Sequence, residues 1–306
     1  MEFDSEWDFQ DRMLSLGLAR VSEAAAIAAA RQIGRGDEKH ADHVAVEAMR
    51  TQLNLLDIKG TVVIGEGERD EAPMLYIGEE VGTGNGAEVD IALDPLEGTT
   101  LTAKAMPNAL TVVALGPRHS MLHAPDVYMD KLAIGPGYPE GLVDLDMSPA
   151  ERIRVFAEAK GGGPEDVTVC ILERPRHKEM VAEVRETGAA IRLITDGDVY
   201  GSVATCWPDA GADVLFGIGG TPEGVISAAA LKAMGGEMQA RFAPQSDEER
   251  SAMSEAGFDL GRVMTQDDLI TTDNCFFAAT GLTDGALLRG VRFDSQGART
   301  QSLVMR

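Results

Sequence analysis

Cysteine is scarce in this chain: Cys170, Cys206 and Cys275 are the three in 306 residues, far apart and without a Cys-x-x-Cys pair. That count and spacing exclude a disulfide framework and a cysteine-based zinc site, and fit buried small hydrophobes in a reducing compartment. Positive charge is also short, with 27 Lys and Arg against 50 Asp and Glu for a net of -23. Such a balance opposes the attraction to phosphate backbones that supplies non-specific nucleic-acid affinity, so no nucleic-acid partner is expected. The same field repels any anionic substrate, which must be met by local cations or bound metal. Long apolar runs are missing too. The longest near the start, residues 24–30, is flanked by Glu23 and Arg31, whereas a bilayer span needs about 20 apolar residues. No membrane partner is expected. The opening Met1-Glu2-Phe3-Asp4 is acidic and lacks the basic start and apolar core of an export signal, so the expected location is cytoplasmic.

What is present is an ordinary globular composition, 44% apolar, in a chain long enough for one large domain or two modest ones. Apolar residues at three- and four-residue spacings (Leu14, Leu18, Val21, Ala25, Ala29) predict a helix over 5–33, stopping at Gly34. A second helix is predicted over 41–56, with Gly60 beyond it. Short buried strands are predicted at 61–64, 89–93, 110–115, 167–172, 191–194, 214–218 and 276–280. Helical patterns lie near 178–186 and 222–234. The alternation predicts a layered α/β fold. The Gly161-Gly162-Gly163-Pro164 run is the candidate boundary between subdomains 1–160 and 161–306, with a surface loop as the alternative.

Carboxylates gather at the ends of the predicted strands, where an α/β sheet presents its ligand-binding edge. Glu66, Glu68, Asp70 and Glu71 follow one strand; Asp94 and Glu97 follow the next, with Pro95 fixing φ and Gly98 allowing close backbone approach. Thr99 and Thr100 then open a predicted helix whose N–H groups suit a phosphate oxygen. Carboxylates so close repel one another unless cations lie between them, and oxygen ligands suit Mg²⁺ and Mn²⁺. The alternatives are a solvated charged turn for 66–71 and helix capping for 94–99. Two such turns at adjacent strand ends favour a metal site.

Other motifs carry less. Residues 82–87 match G-x-G-x-x-A, yet a strand follows where a helix is required, so the segment reads as a hairpin-like turn. His40 and His43 read as surface residues. Arg174-Pro175-Arg176-His177 is a basic island, readable as a helix start or as a clamp for a second phosphate. Asp196-Gly197-Asp198 and the Gly-rich stretch 217–224, which holds Glu223, read as plain turns or as backbone placed against a sugar phosphate.

The wording of these motifs, Ile64-Gly65-Glu66-Gly67-Glu68, Asp70-Glu71-Ala72-Pro73-Met74-Leu75-Tyr76 and Asp94-Pro95-Leu96-Glu97-Gly98-Thr99, closely resembles bacterial class II fructose-1,6-bisphosphatase. The likeness runs from Gly34-Arg35-Gly36-Asp37 through Asn108-Ala109, Ala124-Pro125-Asp126 and Pro175-Arg176-His177 to Ala279-Thr280-Gly281. It implies the layered α-β-α-β-α fold of lithium-sensitive sugar phosphatases, with two subdomains and two or more Mn²⁺ or Mg²⁺ ions. The implied metal ligands are Asp42, Glu66, Asp94, Glu97 and Glu223. Asp70 and Thr99 take the places that help the attacking water. Implied substrate contacts are Glu97, Gly98, Thr99, Tyr128, Arg174, Pro175, Arg176, Asp196, Gly197, Asp198 and Gly220. The implied reaction removes the 1-phosphate of fructose 1,6-bisphosphate in gluconeogenesis. Sedoheptulose 1,7-bisphosphate shares the reacting end and is not separated by these motifs. The resemblance also implies a homodimer or homotetramer, and a chain continuing past the segment matching Leu303-Val304-Met305-Arg306. The rival readings are an inositol-monophosphatase-like enzyme, against which Glu66-Gly67-Glu68 speaks, and a non-catalytic sugar-phosphate sensor, against which speaks the presence of every matched position.

Overall fold

A buried stripe sets the first helix: in α1 (Ser5–Ala30), Leu14, Leu18, Val21, Ala25 and Ala29 are all buried, one face of a 3.6-residue repeat. The computed structural model describes residues 5–65, 75–125 and 127–306, with side chains from residue 14. Helix α2 (Glu38–Leu53) begins before the predicted position because the Asp37 carboxylate accepts the His40 N–H at 3.0 Å, satisfying a donor the helix leaves free. It packs on α1 through Ala41, Ala45, Met49 and Leu53. There follow β1 (Ile58–Ile64), β2 (Glu80–Val81), β3 (Ala87–Glu97), α3 (Thr99–Ala103) and β4 (Leu110–Pro117).

The turn at 82–86 is not a hairpin. Strands β2 and β3 flank β1 on opposite sides, β2 antiparallel and β3 parallel to it. The segment therefore crosses the end of β1, and Gly86 (φ +80) makes the crossing possible: a Cβ there would lie 2.0 Å from the Asp57 carbonyl oxygen.

Next come β5 (Tyr128–Ile134), α4 (Pro149–Lys160), β6 (Thr168–Leu172), α5 (Lys178–Glu186), β7 (Ala190–Ile194), α6 (Asp198–Ala204), β8 (Val214–Gly220), α7 (Thr221–Met234), β9 (Glu237–Phe242), α8 (Asp247–Glu255), β10 (Met264–Thr265) and α9 (Gln266–Leu269). Their strands form one sheet in the order β10-β9-β5-β8-β6-β7. The chain ends with β11 (Phe276–Gly281), β12 (Arg292–Asp294), β13 (Gly297–Arg299) and β14 (Ser302–Met305). Strand β11 inserts between β4 and β14, completing a sheet ordered β14-β11-β4-β3-β1-β2, while among the described residues β12 and β13 pair only with each other.

The fold is thus mixed α/β, with two six-stranded sheets among the described residues, and it divides into two compact units: Met1–Met121 with Asn274–Arg306, and Leu122–Asp273. The boundary expected at 160/161 falls inside the second unit. Gly161 merely closes α4, and β5, before it, pairs with β8 and β9, after it. Each unit has its own core, Ile91, Leu93, Val113 and Phe276 in the first and Leu132, Phe156, Ile171 and Phe216 in the second. Each such side chain contributes about 1.5–3 kcal/mol by leaving water. Among the described residues, no helix is long and apolar enough to cross a membrane.

Candidate active site

In the first unit the acidic residues sit at the end of β3. In an unbroken strand, residues three apart point to opposite faces, yet carboxylate oxygens of Asp94 and Glu97 lie within 4.8 Å of each other. The pairing of β3 with β4 explains this, because its register shifts between those two residues, at Pro95, which has no N–H to give the ladder. Asp94 Oδ1 accepts the Leu96 N–H at 2.9 Å, and Glu97 is buried. Gly98 (φ +97) turns the chain into α3, which Thr99 opens.

This pair fits a hard divalent cation: two oxygen donors converge, Glu97 buried and Asp94 partly so, an arrangement that repels itself until positive charge enters. Asp42 is carried by α2, which packs on β3 and α3. Its carboxyl is pushed above the usual range by burial, with His43 acting against the shift. Among the described residues it does not join the Asp94–Glu97 grouping. Glu66, Glu68, Asp70 and Glu71 lie outside the described residues. His40 and His43 are exposed, as expected.

In the second unit the basic island forms a single tight turn before α5 and is tied to β8. Arg176 Nε and Nη2 donate to the Ile218 carbonyl at 3.1 and 2.7 Å, and its guanidinium lies 4.5 Å from the centre of the Tyr128 ring. Arg174 donates to the Thr195 carbonyl at 2.5 Å and approaches Asp196 to 3.9 Å. The structure therefore pairs Arg176 with Tyr128 and Arg174 with Asp196, with Pro175 setting the turn between the two arginines. Gly197 (φ +87) precedes Asp198, the first residue of α6. Glu223 lies in the first turn of α7, and a Cβ on Gly220 would stand 2.0 Å from its Oε2. Its carboxylate thus folds back over the positive end of its own helix.

Two residues of this region are not site residues in the sequence reading: one is not singled out at all, and the other is noted only within the basic island. Lys131, buried in β5, pairs with the Asp198 carboxylate and donates to the Gly220 carbonyl at 3.0 Å. The signal was there as adjacent charges, Asp130-Lys131, inside an otherwise apolar stretch. The other is His177. Its Nε2 accepts the Ile218 N–H at 2.7 Å and its Nδ1 pairs with the Leu172 carbonyl at 2.7 Å, so the ring is neutral with its proton on Nδ1. Burial holds its pKa below the ordinary value, and the Arg176 charge adds to this while the Leu172 bond opposes it. The strand end that holds Arg176 is itself held by His177.

Residues 12–306 match the family described as bacterial fructose-1,6-bisphosphatase, glpX-encoded. The chain is 46% identical over 308 residues to fructose-1,6-bisphosphatase 1 class 2 of Escherichia coli (strain K12), covering 96% of this chain and 91% of that one. The same figures hold for fructose-1,6-bisphosphatase class 2 of Shigella flexneri. Among solved structures, extragenic suppressor protein suhB from Bartonella henselae aligns with a TM-score of 0.39 at 14% identity, over 66% of this chain and 75% of that one. Inositol monophosphatase from Anabaena (Nostoc) sp. PCC 7120 aligns with a TM-score of 0.34 at 14% identity, over 66% and 72%.

Proposed function

From the premise that the chain belongs to the bacterial, glpX-encoded fructose-1,6-bisphosphatase family of phosphoric monoester hydrolases, we propose that it removes the 1-phosphate of fructose 1,6-bisphosphate in a divalent-cation-dependent reaction. The observation that carries the reading is the register break at Pro95, which turns Asp94 and Glu97 toward each other at a strand end. In this reading those two carboxylates hold Mn²⁺ or Mg²⁺, and Asp42, Glu66 and Glu223 complete the ligand set that the family resemblance implies. The cations, when bound, supply Lewis-acid stabilisation of the phosphoryl oxygens and the leaving alkoxide.

The remaining roles belong to the chain's own groups. Arg174 and Arg176 hold the phosphate that is not cleaved, each with its guanidinium tied to a backbone carbonyl before substrate arrives. Asp198, with its charge balanced by Lys131, accepts a sugar hydroxyl without adding a net negative charge next to the bisphosphate. Gly98 and Gly220 bring backbone close to the ligand, and Asp70 and Thr99 orient the attacking water. Sedoheptulose 1,7-bisphosphate presents the same phosphorylated end and is proposed as a second substrate. A cytoplasmic location is part of the proposal, and the family resemblance supports a homo-oligomer.

Phosphate release from both sugars with Mn²⁺, Mg²⁺ or chelator tests this, for the parent chain and for Glu97→Gln. Metal-dependent release that drops by about 10²-fold or more in the variant is the expected outcome. Release that survives chelation, or a variant as active as its parent, would overturn the assignment.

A further inference from the structure

Away from those residues, the returning segment of the first unit carries a concentration of positive charge that the acidic composition makes conspicuous. A cavity of about 700 Å³ is lined there by Arg289, Arg292, Asp294, Arg299, Thr300 and Gln301. Its size is that of small-molecule sites. The two strands beneath it form an isolated ribbon in which Arg292 stands directly opposite Arg299. Facing like charges destabilise a strand pair, and a lone two-stranded ribbon has little stability to spare. Each guanidinium does have one carboxylate, Asp284 for Arg292 and Asp294 for Arg299. That leaves the side chain of Arg289 without a hydrogen bond or ion pair among the described residues. At the edge Glu23 accepts the Thr300 hydroxyl at 3.2 Å and pairs with Arg20, so four guanidiniums stand against three carboxylates, leaving one cation in surplus beside a roomy opening, in a chain whose net charge is -23.

We propose that Arg289, Arg292 and Arg299 form a binding site for a small phosphate-bearing anion, separate from the residues assigned to hydrolysis. Guanidinium forks match phosphate oxygens two by two, and an anion between Arg292 and Arg299 turns a repulsive facing pair into a bridged one. Gln301, whose Oε1 accepts the Arg289 backbone N–H at 2.7 Å, adds a neutral amide donor at the rim, while the Thr300 hydroxyl is committed to Glu23. The site recognises phosphate chemistry rather than an aromatic base. Phe293 alternates to the other side of the ribbon, where Arg31 already covers its ring at 4.4 Å.

Inorganic pyrophosphate is a suitable probe, titrated calorimetrically into the full chain after chelator treatment. The titration is run on the Arg174→Gln/Arg176→Gln background, which removes the other basic site. One binding event is expected to remain there, weakening about tenfold or more when Arg292→Gln and Arg299→Gln are added. Arg289→Gln, which breaks no ion pair, is expected to weaken it as well. Arg292 and Arg299 side chains are 65% and 80% exposed, so folding is not at stake. No binding on the Arg174→Gln/Arg176→Gln background, or binding indifferent to the ribbon substitutions, would overturn the proposal.

Discussion

Lys131 carries its charge where water barely reaches: its side chain is 1% exposed and that of its partner Asp198 is 6%. Removing one member of a buried pair leaves the other uncompensated, at a cost of about 3–5 kcal/mol, whereas replacing both with apolar groups is often neutral. Lys131→Met is therefore expected to lower stability by that amount, and Lys131→Met/Asp198→Leu to recover most of it, in a denaturant double-mutant cycle. A loss in the double variant equal to the sum of the two single losses would show that the pair does not act as a unit. His177 gives a pH signature. Its folded pKa is depressed below the unfolded value of about 6.5, so above that pH both states are neutral and it has no effect. As pH falls through about 6.5 the unfolded chain takes the proton first, and the folded state loses stability. His177→Gln keeps an acceptor for the Ile218 N–H without titrating. The stability gap between parent and variant is expected to narrow between about pH 7.5 and 5.5, and a gap constant with pH would refute the assignment. Comparison with this variant matters because Asp130, raised by burial against the pull of Arg152, Arg241 and His177, acts in the opposite sense as pH falls.

At the scale of elements, the site rests on how β3 ends. Gly98 at φ +97 begins α3, and a Cβ there would stand 2.9 Å from Leu101 Cδ1. Gly98→Ala is expected to cost about 1–3 kcal/mol in stability and to lower phosphate release by displacing Thr99, while Gly98→Asn, which tolerates that region, retains more of both. Calorimetry and initial rates on the two variants provide the check, and an alanine variant as stable and active as the parent would sink it. Elements with an uninterrupted apolar period, such as α1, β8 and α5, were legible in the sequence because their burial repeats at their own spacing. Strands β5 and β9 were not, since Asp130, Lys131, Gln239 and Arg241 interrupt the pattern, and only tertiary partners such as Asp198 and the Val143 carbonyl make those groups tolerable inside. The site divides in the same way. Asp94 and Glu97 could be read as metal ligands from their types and closeness, but the register shift that turns them together depends on β4, which no local pattern announces.

The whole molecule is one unit interrupted by another. Strand β11 pairs with β4 along its full length, from Phe276 opposite Leu115 to Gly281 opposite Leu110, and all of Leu122–Asp273 lies between them. That long-range pairing is also why a boundary sought at a glycine run was misplaced, for the division follows strand partners rather than linker composition. Closing a loop of that length before its contacts form is slow, unless the intervening segment has already drawn its own ends in. The order of synthesis supplies this condition: the interrupting unit is made complete while the sheet of the first still lacks β11 and β14, the strands at one edge. Nascent chains arrested after a flexible linker that carries Asp273 clear of the exit tunnel are expected to show the 122–273 segment resistant to protease and the first 121 residues cleavable, with protection of the latter appearing only once β11 has also left the tunnel. Simultaneous protection of both would mean that the first unit does not wait. If it does wait, the completed N-terminal half spends the time needed to translate the insert with β4 as an open edge, so the rate of translation through 122–273 becomes a determinant of how much of this protein aggregates.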